Sequence, residues 1–489
     1  MQLKPGQSIS NFGRNVEFKP LQSFQPKSVT EVLEILKAHK GQRIRVTGRL
    51  HSWSEAIVAE EIHLDLSQLD SIEIQQQSGR NFVIAGAGCQ VKKILEELGK
   101  IGLTLPTIGL IDEQSIAGAT ATGTHGSGKP SLSHFVEAVE IAHYNSDGEP
   151  TVTTISSGQE LKAARCSLGL MGIVLSLKFK CKPAYNVKEH NEKYDSLKRV
   201  LEAERRFPLQ QFFLMPWSWT YYGHHRVESN ESKSRSAFWY HAYWSIFIDR
   251  GLHVAVYAFA KLLPFNWLVR FFYKRILPFT IARNWKVVDD SHKMLTMEHE
   301  LFRHVEIELF VTRTRLQEAI EFVIDAIAIF GGQKAPSANA KREIEFEKFK
   351  GHYCHHYPIC VRRVLPDDTL ISMASPDANY PKDNWYAISF ISYQWPNRRQ
   401  GFYEFADFLA TTMVERFDAR AHWGKYNPLS GAEIRRLYPR LAEFDSIRAK
   451  FDPQRQFENN WLAQVMDSGP ARARSVDDKD VGALVDPPS

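Results

Sequence analysis

Apolar positions recur at helical spacing in SVTEVLEILKAHKG from Ser28, where Ser28 and Glu31 stand as a capping box and Gly41 supplies the stop. The run QRIRVTG that follows predicts a short strand. In NFVIAGAG a second apolar run ends in glycines and hands over to CQVKKILEELGKIG, an amphipathic helix closed by Gly102. FVEAVEIAHYNSDGEP predicts a strand ending at an Asp-Gly turn, and SLGLMGIVLSLKFKCKP a last strand of the same unit. Strand and helix alternate, which predicts an α/β or α+β domain.

The texture changes at about Ala184, where long aromatic and charged segments replace glycine-rich loops. VEIELFV alternates apolar and charged residues as a half-buried strand does, RLQEAIEFVIDAIAIF has the helical period, and YAISFISYQW reads as another strand. These repeats predict a second α+β domain, with the stretch from Ala237 to Ala282 inserted or packed on its flank. That stretch is the most lipid-like of the chain, but Asp249, Arg250, Lys261, Arg270 and Lys274 cut it into pieces shorter than the ~20 apolar residues of a spanning helix. It reads as amphipathic, lying on a bilayer or covering the protein's own core. Residues 467–489 are rich in Pro, Gly and charge and predict a disordered tail.

Composition narrows the class. The 489 residues are 43% hydrophobic and 24% charged, enough for two or three folded domains. A formal charge of +5, from 61 Lys and Arg against 56 Asp and Glu, argues against a dedicated nucleic-acid binder. Five cysteines without a CxxC pair predict neither a disulfide framework nor a zinc ribbon, and fit a reducing compartment. The opening MQLKPGQSISNFGRN lacks an apolar signal core, so a cytoplasmic placement is expected, with peripheral membrane contact if residues 237–282 meet a bilayer.

Two loops have the chemistry to hold a diphosphate. VTGRLHSWS leaves a strand and turns at Gly48, where successive backbone N–H groups can converge on an anion. IDEQSIAGATATGTHGSG offers Gly118, Gly123, Gly126 and Gly128 for close backbone approach, and the hydroxyls of Ser115, Thr120, Thr122 and Thr124 as neutral donors. Neither a Walker lysine nor a GxGxxG fingerprint is present, so ATP hydrolysis and an ordinary Rossmann site are not indicated. GHYCHHYPIC gathers His352, Cys354, His355, His356 and Cys360, but the spacing fits no standard zinc pattern. No metal is expected there; His352, Cys354 and His356 would share a strand face and line or flank a substrate pocket, while Asp367 and Asp368 read as turn residues.

The succession of VTGRLHSWS, GLIDEQSIAGATATGTHGSG, SLGLMGIV and HWGKYNP resembles the aldonolactone oxidases of the vanillyl-alcohol-oxidase flavoprotein superfamily, which include gulonolactone, arabinonolactone and alditol oxidases. The resemblance runs from NFGRN at Asn11 to FDPQRQFENNWL ending at Leu462. It implies an α+β fold with a two-part FAD-binding domain of the PCMH type over residues 1–184. A central α+β substrate domain would span 185–420, and 421–466 would return to the flavin. It also implies covalent attachment of FAD at His51, with Arg49 and Leu50 where the family has small residues. Gly48, Ser52, Ser115, Gly118, Thr122, Gly123, His125 and Gly126 would contact the diphosphate and ribityl chain, and Ile173 would meet the flavin through its backbone.

The chemistry so implied is oxidation of a CH–OH group of a sugar lactone or polyol by hydride transfer to FAD, with oxygen, a quinone or a cytochrome as the final acceptor. Lys425 resembles the family lysine beside the flavin, and His422 would serve as base or positioner. Arg362 matches the arginine of the family's Glu-x-Arg pair, whereas Cys360 replaces the glutamate on the same strand face. A thiol is a poor substitute for a carboxylate. That exchange leaves two further readings: a non-catalytic or altered flavoprotein of the same fold, or a membrane-surface enzyme acting on a lipid-linked substrate.

Overall fold

The structure is a computed structural model that describes residues 7–262, 265–297, 303–376 and 383–466. The predicted disordered tail at 467–489 lies outside the described residues. The helix Val29–Ala38 begins where its pattern predicts: the Ser28 hydroxyl accepts from Glu31 N at 3.2 Å. The Glu31 carboxylate closes on Lys27 N at 2.9 Å, one residue before the cap. This helix connects Gln22–Phe24 to Ile44–Thr47 in a parallel sheet of three strands, with Ile62–Asp65 in the middle.

An antiparallel sheet of five strands follows, in the order Pro150–Ile155, Val136–Tyr144, Ile173–Lys180, Arg80–Gly86 and Ile72–Gln77. Beyond residue 184 the chain builds one antiparallel sheet of eight strands. Its order is Val287–Asp290, Asn186–Tyr194, Thr220–Ser229, Gln211–Met215, Ile359–Val364, Trp385–Ser392, Val305–Thr312 and Arg420–Ala421. Helices Leu316–Phe330 and Gln400–Phe417 pack against it.

Two sequence expectations are corrected here. Val305–Thr312 is buried along its whole length instead of half-buried, because its charged face is roofed by the amino-terminal part of the molecule. Residues 352–358 form no strand, so His352, Cys354 and His356 share no strand face. His352 is exposed beside Glu404, while His355 and His356 are buried against Tyr353, Phe390 and Phe405. Only Tyr357, Pro358 and Cys360 of that stretch reach the cavity described below.

The carboxyl segment returns to the amino-terminal sheets. Ile44 N donates to Gln456 O at 2.7 Å, and the buried Arg45 guanidinium donates to the carbonyls of Ala56, Leu168 and Phe457. Three distant segments are thereby tied to one cation, which satisfies carbonyls that burial would otherwise leave unpaired. Residues 237–282 form an insertion between Thr220–Ser229 and Val287–Asp290, made of short helices interrupted by π-helical turns. Among the described residues no helix is long and apolar enough to cross a membrane.

Candidate active site

A cavity of about 360 Å³ lies between the amino-terminal sheets and one face of the eight-stranded sheet. The strand period of two sets that face: Glu189 and Asn191, Gln211 and Phe213, His224 and Arg226, Cys360 and Arg362, Ser389 and Ile391, and Glu306 and Glu308 all line it. Alternation therefore does place 360 and 362 together.

Three motifs far apart in sequence meet at Gly424. Trp53 N donates to the Gly424 carbonyl at 2.9 Å and Ser52 Oγ at 3.2 Å, while a Cβ on residue 424 would lie 3.1 Å from Thr122 Oγ1. The two glycine loops also touch directly. A Cβ at position 48 would come within 2.1 Å of Ser115 Oγ, and one at 118 within 3.0 Å of the same atom. Leu50 sits at φ 56, a left-handed conformation that glycine adopts freely and leucine only with strain. His51 follows, stacked on Phe12 at 5.4 Å and 16°.

Gly48, Arg49, Leu50, His51, Ser52, Ser115, Gly118, Thr122 and His125 all line the cavity. Gly123, Gly126 and Ile173 do not. Gly123 has φ 75 and faces Met373; a Cβ on Gly126 would lie 2.4 Å from Ile108 O, so packing against backbone explains that glycine. Ile173 is fully buried, and its neighbours Gly172, at φ 128, and Val174 form the wall in its place.

Cys360, Arg362, His422 and Lys425 converge at the polar end, joined by two carboxylates that the sequence reading passed over. Lys425 Nζ lies 2.5 Å from Glu306 and 4.2 Å from the centre of the Trp53 ring. Glu308 accepts from Ser389 Oγ at 2.7 Å and lies 3.4 Å from His125 Nε2. Burial alone would raise the Glu308 carboxyl, but His125 beside it and the Lys425 ammonium hold it well below the ordinary carboxylate range. Burial works against the Arg362 guanidinium too, and Cys360, Glu308 and Glu306 outweigh it, so Arg362 stays charged. The Cys360 thiol is pushed up by burial and remains neutral despite Arg362.

His422 is neutral, held well below its ordinary value by burial. Gly424 N donates to its Nδ1 at 3.0 Å, which leaves the proton on Nε2. With Nδ1 engaged, the neutral ring has only its Nε2–H left to offer as a donor, which suits a positioning role better than that of a base. The only signal for Glu306 and Glu308 in the sequence was the charge alternation of VEIELFV, which reads equally well as a solvated face.

A family model described as D-arabinono-1,4-lactone oxidase matches residues 177–465, more than half of the chain, and one described as FAD binding domain matches residues 20–154. The chain belongs to the D-arabinono-1,4-lactone oxidase family. It is 46% identical over 472 residues to a long-chain alcohol oxidase of an uncultured marine euryarchaeote, covering 95% of this chain and 98% of that one. An L-gulono-1,4-lactone dehydrogenase of Mycobacterium tuberculosis is 24% identical over 455 residues, 90% of this chain and 95% of the relative. In fold it is similar to cholesterol oxidase from Brevibacterium sterolicum, with a TM-score of 0.74, 18% identity, and 96% and 97% of the two chains covered. This family member is an FAD-dependent oxidoreductase acting on CH–OH groups.

The residues present fit FAD. Gly48, Gly118 and Ser115 form a neutral surface without Cβ atoms at the two glycines, where the backbone can approach a diphosphate. Another part of the cavity wall is of a different character. Phe213, Met215, Tyr222, Trp244, Leu277 and Met294 form it, and the insertion at 237–282 contributes Tyr240, Tyr243 and Ile281 as well. One polar cluster interrupts this surface. Glu189 pairs with Arg226 at 2.5 Å and His224 at 2.7 Å and accepts from Tyr240 Oη; burial opposes its ionisation, yet His224 and Arg226 hold it down at about 2. His224 in turn stacks on Trp244 at 5.0 Å.

Proposed function

We propose that this flavoenzyme oxidises a primary alcohol carried on a long apolar chain, with FAD attached through His51. The observation that carries the substrate reading is the aromatic and aliphatic wall beyond the Arg362 cluster. A sugar lactone lying there would set most of its hydroxyls against aromatic and aliphatic carbon, with Tyr222 Oη, Trp244 Nε1 and the Glu189 cluster as the polar exceptions, whereas an alkyl chain gains roughly 0.8 kcal/mol for each buried CH₂. The name of the long-chain alcohol oxidase relative supports the same choice.

Bound FAD would supply the hydride acceptor. The chain's own groups supply the rest. Arg362 and Lys425 stabilise negative charge on the substrate oxygen as it loses its proton. Glu308, kept ionised among cations, accepts that proton through a hydrogen bond, and His422 orients the hydroxyl with its Nε2–H. Glu308, on the strand Val305–Thr312, would thus supply the carboxylate that Cys360 lacks. Reoxidation by oxygen, a quinone or a cytochrome is distinguished by admitting each in turn to the reduced enzyme.

Anaerobic bleaching of the flavin across a panel of long-chain primary alcohols, aldonolactones and polyols tests the reading. Bleaching by the long-chain alcohols at least tenfold faster than by the others is the expected result. Preference for a lactone would return the substrate to the sugar class, and no bleaching by any compound would favour a non-catalytic flavoprotein. Flavin that stays with acid-precipitated protein, and is released by His51→Ala, is the outcome expected of covalent attachment.

A further inference from the structure

The insertion at 237–282 has two apolar faces. Tyr240, Trp244, Leu252, Leu277 and Ile281 line the cavity from within. Next to them in sequence, Phe238 and Trp239 are 72% and 66% exposed, Phe247 53%, Trp267 62% and Phe279 89%. Of the sixteen large apolar side chains exposed among the described residues, ten fall between residues 238 and 279. That concentration within one insertion exceeds the scattered exposure normal for a soluble surface and points to a contact face. Its charge is one-sided: residues 237–286 carry seven Lys and Arg against the single acid Asp249. Arg250, Lys274, Arg275, Arg283 and Lys286 are exposed.

Aromatic side chains that project outward among cations match a bilayer surface with anionic headgroups, the rings entering the interface and the cations meeting phosphates. We propose that this face docks on an anionic lipid surface. The insertion that carries these outward rings also lines the substrate cavity from within, so a lipid-like alcohol would enter from the bilayer instead of from water. The entry step rests on the substrate reading above; the docking does not. A second copy of this chain is the competing occupant, and the cationic excess on the face opposes it, since two such faces would repel.

Flotation of the flavin-loaded protein tests docking without any substrate. The vesicles are phosphatidylcholine alone, or phosphatidylcholine and phosphatidylglycerol in equal parts. Binding to the mixed vesicles is expected, with binding to phosphatidylcholine alone weaker. The triple variant Phe238→Ser, Trp239→Ser, Phe279→Ser should lose at least about a hundredfold in partitioning, and Lys274→Gln with Arg275→Gln about thirtyfold on the mixed vesicles only. Unchanged flavin absorbance in both variants shows that they fold. Absence of flotation on mixed vesicles, or equal flotation of the triple variant, would overturn the proposal. So would sedimentation as a dimer that the triple variant abolishes, which would assign the face to a second copy. A protein that floats but bleaches with no long-chain alcohol would leave docking standing and remove the substrate reading instead.

Discussion

At the amino-terminal end of the cavity the wall is made of backbone and short side chains, Gly48, Gly118, Ser115 and Thr122, drawn from two continuous loops. At the other end it is made of long side chains taken two apart from the strands of one sheet, with Arg362 and Glu308 on strands separated by Trp385–Ser392. On the proposed reading the first kind of surface would hold FAD and the second would sort substrates. A loop can be retained as a unit while the sheet face is changed one residue at a time, which is how Cys360 can stand in the Glu-x-Arg position while Glu308 offers a carboxylate from another strand.

Changes to the sheet face should abolish chemistry and leave the cradle intact. Arg362→Met is expected to slow anaerobic flavin reduction by roughly a thousandfold, since it removes a buried cation beside the developing charge, while flavin content stays the same. A drop in flavin content equal to the drop in rate would erase the division between the two ends. Glu308→Gln should cost about a hundredfold in the same stopped-flow measurement. If instead Cys360→Glu accelerates reduction in the wild-type background and Glu308→Gln has no effect, the carboxylate role belongs to the ancestral position.

Acid should strike both ends together. Burial lowers His63 to about 4 on the middle strand of the amino-terminal parallel sheet, and lowers His225 to about 3, His355 to about 3 and His356 to about 4 in the second unit, with neighbouring histidines adding to the effect at His225 and His355. The folded chain keeps these rings neutral while the unfolded chain protonates them below about 6.5. Stability is therefore fully present above that pH and is lost as pH falls toward about 4, each ring contributing up to about 1.4 kcal/mol per pH unit. A thermal midpoint that falls steeply between those values is expected, and a flat profile would contradict it. The smallest effect belongs to the cradle: Leu50→Gly should raise the thermal midpoint slightly, by relief of up to about 1 kcal/mol of left-handed strain.

Much of this was readable along the chain. The helix after Ser28, the strand to Gly86, the two glycine loops and HWGK are local patterns, because a capping residue, a period of two or 3.6 and a turn glycine act over a few neighbours. Gly123, Gly126 and Ile173 lie outside the cavity lining, and Gly126 shows why: a glycine that makes room for backbone and one that makes room for a ligand look alike in sequence. VEIELFV announced a strand but not what would cover its charged face.

Glu306 and Glu308 became site residues only when strand pairing set them against Ile391 and Ser389 and packing brought Lys425, His422 and His125 to them from segments more than a hundred residues away. Likewise the insertion at 237–282 announced itself as amphipathic, but which rings would face a cavity and which would face outward depended on how it packs against the sheet. Register and packing sum many weak contacts between distant positions, and no stretch of chain read alone contains that sum.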